Sequence, residues 1–94
     1  MENCRNQAMK LNGMTLYTTR DKKPFNIVGV LGDRIEFVPQ DGNGGKRWFP
    51  LDSIEYLCSL NLKLDAIRPI DIKKIWPNDQ NTSYVASIIR EIAK

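Results

Sequence analysis

The chain has 94 residues, 41% hydrophobic and 27% charged, with a net charge of +3 and a mean hydropathy of −0.41. That length suits a single domain over 1–94, in which roughly two-thirds of the unfolded surface can be buried, and no apolar run reaches the ~20 residues of a membrane span. Histidine is absent, which removes the commonest general base and the commonest zinc ligand.

The N-terminal stretch "MENCRNQAMKLNG" carries Glu2 and several amides where a signal peptide would place a basic patch and an apolar core, so no export signal is read. A cytoplasmic protein is expected. Cys4 and Cys58 are too few and too far apart to read as a disulfide framework, and both are expected to remain thiols in a reducing compartment, Cys58 as part of the core.

The first half then reads as strands. "MTLYTT" (14–19) is β-branched and aromatic, and "RDKKP" turns the chain, Pro24 lacking the N–H for a ladder bond. "FNIVGVL" (25–31) is apolar on both faces, which predicts a central strand covered on part of its second side. Gly32-Asp33 forms a tight turn into "RIEFVP" (34–39), where Ile35 and Phe37 alternate with solvent-facing Arg34 and Glu36. "QDGNGG" (40–45) supplies residues tolerant of positive φ for a loop before the strand "KRWF" (46–49).

Helices dominate the second half. Asp52 followed by Glu55 resembles a capping box for a helix over 53–60, with Ile54, Leu57, Cys58 and Leu60 on its apolar side. Pro69 and Pro77 bracket "IDIKKIW", leaving room for one or two helical turns in an irregular segment. Asn81 caps a last helix whose stripe of Tyr84, Val85, Ile88, Ile89 and Ile92 docks on the core and leaves Ser87, Arg90, Glu91 and Lys94 to solvent. The expected fold is α+β: a small, mostly antiparallel sheet of about four strands, covered on one face by two helices.

Charge is unevenly placed. Residues 1–50 hold eight Lys or Arg against five acids, and residues 51–94 balance six against six, so the whole excess lies in the first half. A sequence pI near 9.0 with that asymmetry is a cue for a polyanion partner. Alternation along "KRWF" sets Lys46 and Trp48 on one face and Arg47 and Phe49 on the other, so one aromatic belongs to the core and the other stands beside a cation. Such a Trp can stack on a base while Lys46 and Arg47 neutralise phosphates, with Arg20, Lys22 and Lys23 of the "TTRDKKP" turn converging on the same patch. The competing reading makes "KRWF" an edge strand whose cations discourage aggregation, with Trp48 as core filler, and makes the basic turn merely solvated; partial burial of Trp48 is expected, which leaves Arg47 as the better functional residue.

Other chemistries lack residues. "DGNGG" has neither the Lys-Ser/Thr pair nor the following helix of a phosphate-cradling loop, and Asp33, Asp41, Asp52 and Glu55 are explained as turn and cap acids rather than as a metal cluster. The Asn81-Thr82-Ser83 sequon is a motif match without meaning inside a cell. No nucleophile and base can be paired, so no enzyme activity, metal or cofactor is expected. A protein-interaction or homodimerisation module, through an edge strand or the last helix, stands as the alternative to nucleic-acid binding.

The run "KPFNIVGVLGDRIEFVPQDGNGGKRWFPLDSIEYL" and the tail "NTSYVASII" resemble small bacterial domains, some free-standing and some attached to restriction-type endonucleases. That resemblance spans most of residues 16–92. It implies a non-catalytic, DNA-associated module of a kind carried on mobile elements, with Lys23, Arg47 and Ser83 as contact candidates. The chain differs from the pattern in its longer "DGNGG" loop and in Trp48-Phe49-Pro50 after Arg47.

Overall fold

Alternating side chains in the first half build a sheet with one dry and one wet face. The computed structural model describes residues 4–40, 45–60 and 62–94. Helix α1 (Cys4–Met9) precedes strands β1 (Thr15–Tyr17), β2 (Pro24–Val30), β3 (Arg34–Pro39) and β4 (Arg47–Pro50). Helix α2 (Leu51–Ser59), a 3₁₀ turn (Leu64–Ala66), α3 (Pro69–Ile75) and α4 (Thr82–Ile92) follow. The strands form a four-stranded antiparallel meander in the order β1-β2-β3-β4. The fold is therefore α+β with helices packed on the sheet, as the periodicity predicts. The "DGNG" part of the expected glycine loop, 41–44, lies outside the described residues.

The Gly32-Asp33 hairpin forms as expected. The N–H of Leu31 donates to the Arg34 carbonyl at 2.9 Å, closing a two-residue turn. The both-sided apolar character of β2 has a different cause from the one expected. Its register shifts between Ile27, paired with Phe37, and Gly29, paired with Glu36. This bulge turns Val28 out to solvent and returns Val30 to the core face with Phe25 and Ile27. Val28 and Leu31 remain exposed among the described residues, so one extra residue rather than a second layer absorbs the apolar excess.

On the dry face Phe25, Ile27, Ile35, Phe37 and Phe49 meet Leu51, Ile54 and Leu57 of α2 and Val85, Ile88 and Ile89 of α4. The rings of Phe25 and Phe37 lie 5.6 Å apart, and Tyr84 closes the group at 5.1 and 5.2 Å from them. Burying each large apolar side chain here contributes about 1.5–3 kcal/mol. Beside the expected pair, α3 is the short helix expected between the prolines, and α1 is a helix that the sequence reading did not foresee. In α1, Cys4 and Ala8 are buried, and Leu11 in the turn just past its end joins them, a short stripe within an otherwise polar segment. In α3, Pro69 takes the first helical position and Asp71 accepts the Arg68 N–H at 2.9 Å, so a proline bracket becomes a helix start.

Several local readings need correction. Cys4 and Cys58 are joined in a disulfide with Cα atoms 6.7 Å apart, rather than lying as free thiols. Packing of α1 against α2 brings them together, which no spacing argument could detect. Helix α2 begins at Leu51 with Pro50 as N-cap and no side-chain cap, so Asp52 and Glu55 do not form a capping box. Both carboxylates instead bind Arg5, with Nη2 of Arg5 at 2.9 Å from Asp52 and 2.6 Å from Glu55, and Nη1 also donates to the Gly32 carbonyl. Asn81 precedes α4 without capping it through its side chain. Ser87 is buried rather than solvent-facing, its hydroxyl donating to the Tyr17 carbonyl at 2.6 Å and tying α4 to β1. Glu36 is also buried, at 9% exposure. Among the described residues, no helix is long and apolar enough to cross a membrane.

Candidate binding surface on the helix-free sheet face

Strand alternation determines what the wet face carries. Leu16, Phe25, Ile35, Phe37 and Phe49 point to the helices, so Thr15, Tyr17, Asn26, Arg34, Glu36, Val38 and Trp48 share the opposite side. Tyr17 on β1 is 57% exposed and Trp48 on β4 is 51% exposed, although both are large aromatics. Between them Asn26 Oδ1 accepts hydrogen bonds of 2.7 Å from the Thr15 hydroxyl and from Gln40 Nε2, a polar row from β1 through β2 to the residue after β3. With strand spacing of about 4.8 Å, the β1 and β4 aromatics stand at least ~14 Å apart across the sheet.

Around Trp48 the charges are organised. Glu36 pairs directly across from Trp48, with Arg34 Nε at 3.3 Å from one carboxylate oxygen and Lys46 Nζ at 3.4 Å from the other. The Arg34 contact is an ion pair without hydrogen-bond alignment, so Nε has no hydrogen-bond partner. The Arg34 guanidinium sits over the indole, 5.5 Å from the ring centroid. Two cations flanking one carboxylate leave a local excess of positive charge beside an open ring.

The six candidate residues do not gather into one patch. Lys46 and Trp48 share the helix-free face, and Arg47, which points the other way along the strand, still lines one cleft of about 420 Å³ with them, Gln80 and Asn81. Its guanidinium lies 5.4 Å from the Tyr84 ring centroid and Nη1 donates to Asn81 Oδ1 at 3.2 Å, which makes it a brace between β4 and the start of α4. Arg20, Lys22 and Lys23 are exposed on the turn after β1, the opposite edge of the sheet from β4. That turn is closed by reciprocal bonds between Thr18 and Lys23, with Lys22 held at φ 57. The meander does bring it to the same end of the sheet as the approach to β4, but two strands intervene. Ser83 stands in the first turn of α4, half-buried.

Residues that the sequence reading passed over lie on both sides. Tyr17 was legible, since Leu16 inward in "TLY" forces Tyr17 outward. Arg34 faces solvent by alternation, and its ring partner Trp48 lies on the neighbouring strand, beyond the reach of a local pattern. At the β1 edge, Arg20 lines a cleft of about 310 Å³ with Thr19, Arg68, Pro69, Ile70 and Arg90, and Lys22 lines an adjoining cleft of about 480 Å³ with Tyr17, Asp65, Ser87, Arg90 and Lys94. At the β4 edge, Trp48, Phe49, Pro50, Ser53, Trp76 and Asn78 are among the residues lining a groove of about 370 Å³. Among the described residues, no three potential metal ligands come together. No protein-family model, curated protein or solved structure matches this chain.

Proposed function

We propose that the chain is a small non-catalytic nucleic-acid-binding module that takes single-stranded DNA or RNA on its helix-free sheet face. The observation that carries this reading is Trp48, half exposed on that face beside Arg34 and Lys46. Stacking needs an accessible ring and an unpaired base, and phosphates need cations alongside; an exposed Trp next to cations supplies both. Tyr17 provides a second ring across the sheet, and Lys22 and Lys23 lie on the turn that follows its strand. The likeness of the hairpin and tail motifs to small bacterial DNA-associated domains, including ones carried on mobile elements, supports the same reading. A cytoplasmic setting agrees with it and implies that Cys4 and Cys58 are reduced there, so binding must survive without their bond.

The test is titration of mixed-sequence DNA and RNA oligomers against salt. Binding should weaken steeply with ionic strength, each phosphate contact contributing roughly one to the log-log slope. Trp48→Ala should lower affinity by about tenfold or more at a folding cost well short of the ~3–5 kcal/mol of a core Trp. Absence of salt-sensitive binding at low ionic strength, or unchanged affinity in Trp48→Ala, overturns the reading.

A protein-interaction or homodimerisation module is the second reading, favoured by the groove beside β4, where Trp76 packs edge-on to Phe49 at 5.7 Å and Tyr56 lies exposed at 6.0 Å from it. Aromatic rims of this kind anchor protein partners. Sedimentation as a monomer at high micromolar concentration would remove the homodimer.

A further inference from the structure

The β1-edge cleft carries an arrangement that the sheet face does not need. Arg20 from the turn after β1, Arg68 from the residue before α3 and Arg90 from α4 line one cleft of about 310 Å³. Three guanidinium groups repel one another, and this grouping is unfavourable unless an anion joins them. Asp71 is the one carboxylate bonded to any of the three among the described residues, and its contacts with the Arg68 guanidinium are 3.3 and 3.4 Å, long for a charge-assisted pair. Arg90 is pinned by Nε donating to the Ile67 carbonyl at 2.6 Å, an anchor that leaves its terminal nitrogens for another acceptor. Arg20 has no side-chain partner among the described residues.

A second observation comes from the wall of the cleft. Thr19 lines both this cleft and the adjoining one that holds Lys22 and Lys94, and its Oγ1 is buried with no hydrogen-bond partner. An unsatisfied buried hydroxyl is costly, and the residue that carries it lines both clefts. The terminal nitrogens of Arg90, the Nη1 side of Arg68 that Asp71 does not take, an adaptable Arg20 and one unused hydroxyl supply donors of the kind a tetrahedral oxyanion takes.

We propose that Thr19, Arg20, Arg68 and Arg90 form a binding site for a phosphate monoester group. The site stands apart from the Trp48 surface and does not depend on the nucleic-acid reading. Preorganisation gives it selectivity over chloride, because the Arg90 and Arg68 forks are already oriented by Ile67 and Asp71.

The test titrates the full chain with inorganic phosphate, followed by amide chemical shifts, against sodium chloride at matched ionic strength. Saturable shifts centred on residues 19, 20, 68 and 90 are expected with phosphate alone. Arg20→Gln, an exposed turn substitution that leaves the fold intact, should weaken binding about tenfold, as expected for one lost charge-assisted bond; Thr19→Val should weaken it less. Trp48→Ala should leave phosphate affinity unchanged, so loss of oligomer binding and loss of phosphate binding report on different sites. A dinucleotide bearing a 5′-phosphate, compared with its 5′-hydroxyl form, separates the sources: tighter binding than inorganic phosphate assigns the site to a nucleic-acid terminus, and equal binding assigns it to small phosphorylated ligands. Equal responses to phosphate and chloride, or an Arg20→Gln protein that binds phosphate as tightly as the parent, overturn the proposal.

Discussion

The two edges of the sheet treat their cations in opposite ways. Along β4, each basic side chain has a local use: Lys46 meets Glu36, Arg34 meets Glu36 and the Trp48 ring, and Arg47 meets Tyr84 and Asn81. Along β1, Arg20 and Lys22 extend into clefts shared with Arg90, and neither has a side-chain partner among the described residues. Basic residues counted along the sequence are therefore unequal in what they can offer a ligand. A guanidinium stacked on a partly exposed ring is positioned by the fold, and one with its fork unused is free to reorient toward a ligand.

The β4 side is also the braced side, since α2, which follows β4 directly, is tied to α1 by the Cys4–Cys58 bond and by Arg5. The largest expected effect breaks that brace. Closing a loop with a sequence separation of 54 restricts the unfolded chain, and loss of the bond should cost about 4 kcal/mol in the chain-entropy account. Thermal unfolding of Cys4→Ser with and without reductant checks it: the parent should melt lower with reductant and the variant should be indifferent, whereas equal melting of the reduced and oxidised parent would refute the brace.

The comparison of the edges is sharpened by paired substitutions. Arg47→Ala should destabilise by about 1–2 kcal/mol through its partly buried hydrogen bond and ring contact, and Arg20→Ala should stay within about 0.5 kcal/mol. Denaturant midpoints measure both. Equal losses would mean that the edges do not differ in how they use their arginines.

The smallest effect is a pH dependence beside the β1 edge. The side-chain hydrogen bond from Arg68, followed by the Arg68 backbone N–H, holds the Asp71 carboxyl below its ordinary value near 3.8. A carboxylate lowered in the folded state contributes stability that is complete above its unfolded value and is lost as pH falls through the folded one. Asp71 lies near the surface, so this contribution is below about 1 kcal/mol. Asp71→Asn should flatten the acid limb of the stability curve between pH 5 and 2 by about that amount, and an unchanged limb would remove the assignment.

What the sequence determined by itself is whatever neighbouring residues decide among themselves. Alternation in "TLY" and "RIEFVP" fixes which side chains face in, Gly32-Asp33 closes a hairpin, and the 3.6-residue stripe from Val85 to Ile92 builds α4. These signals are local, so the α+β class and the antiparallel sheet followed from them, whereas Trp48, expected to be partly buried and structural, proves to be the exposed ring of the Trp48-Phe49 pair. What only the tertiary structure decided are the partners brought together from far along the chain. Cys4 finds Cys58, Arg5 finds Glu55 and Ser87 finds Tyr17, at separations of 54, 50 and 70 residues. The same holds for Arg47 turning to Asn81 and for Arg20, Arg68 and Arg90 sharing a cleft. Asp52 and Asn81 have the composition of caps but serve long-range partners, because a guanidinium within reach competes for the oxygen that an uncapped helix N–H would take. Residue type and spacing set each group's capacity to bond, and only packing selects which partner arrives.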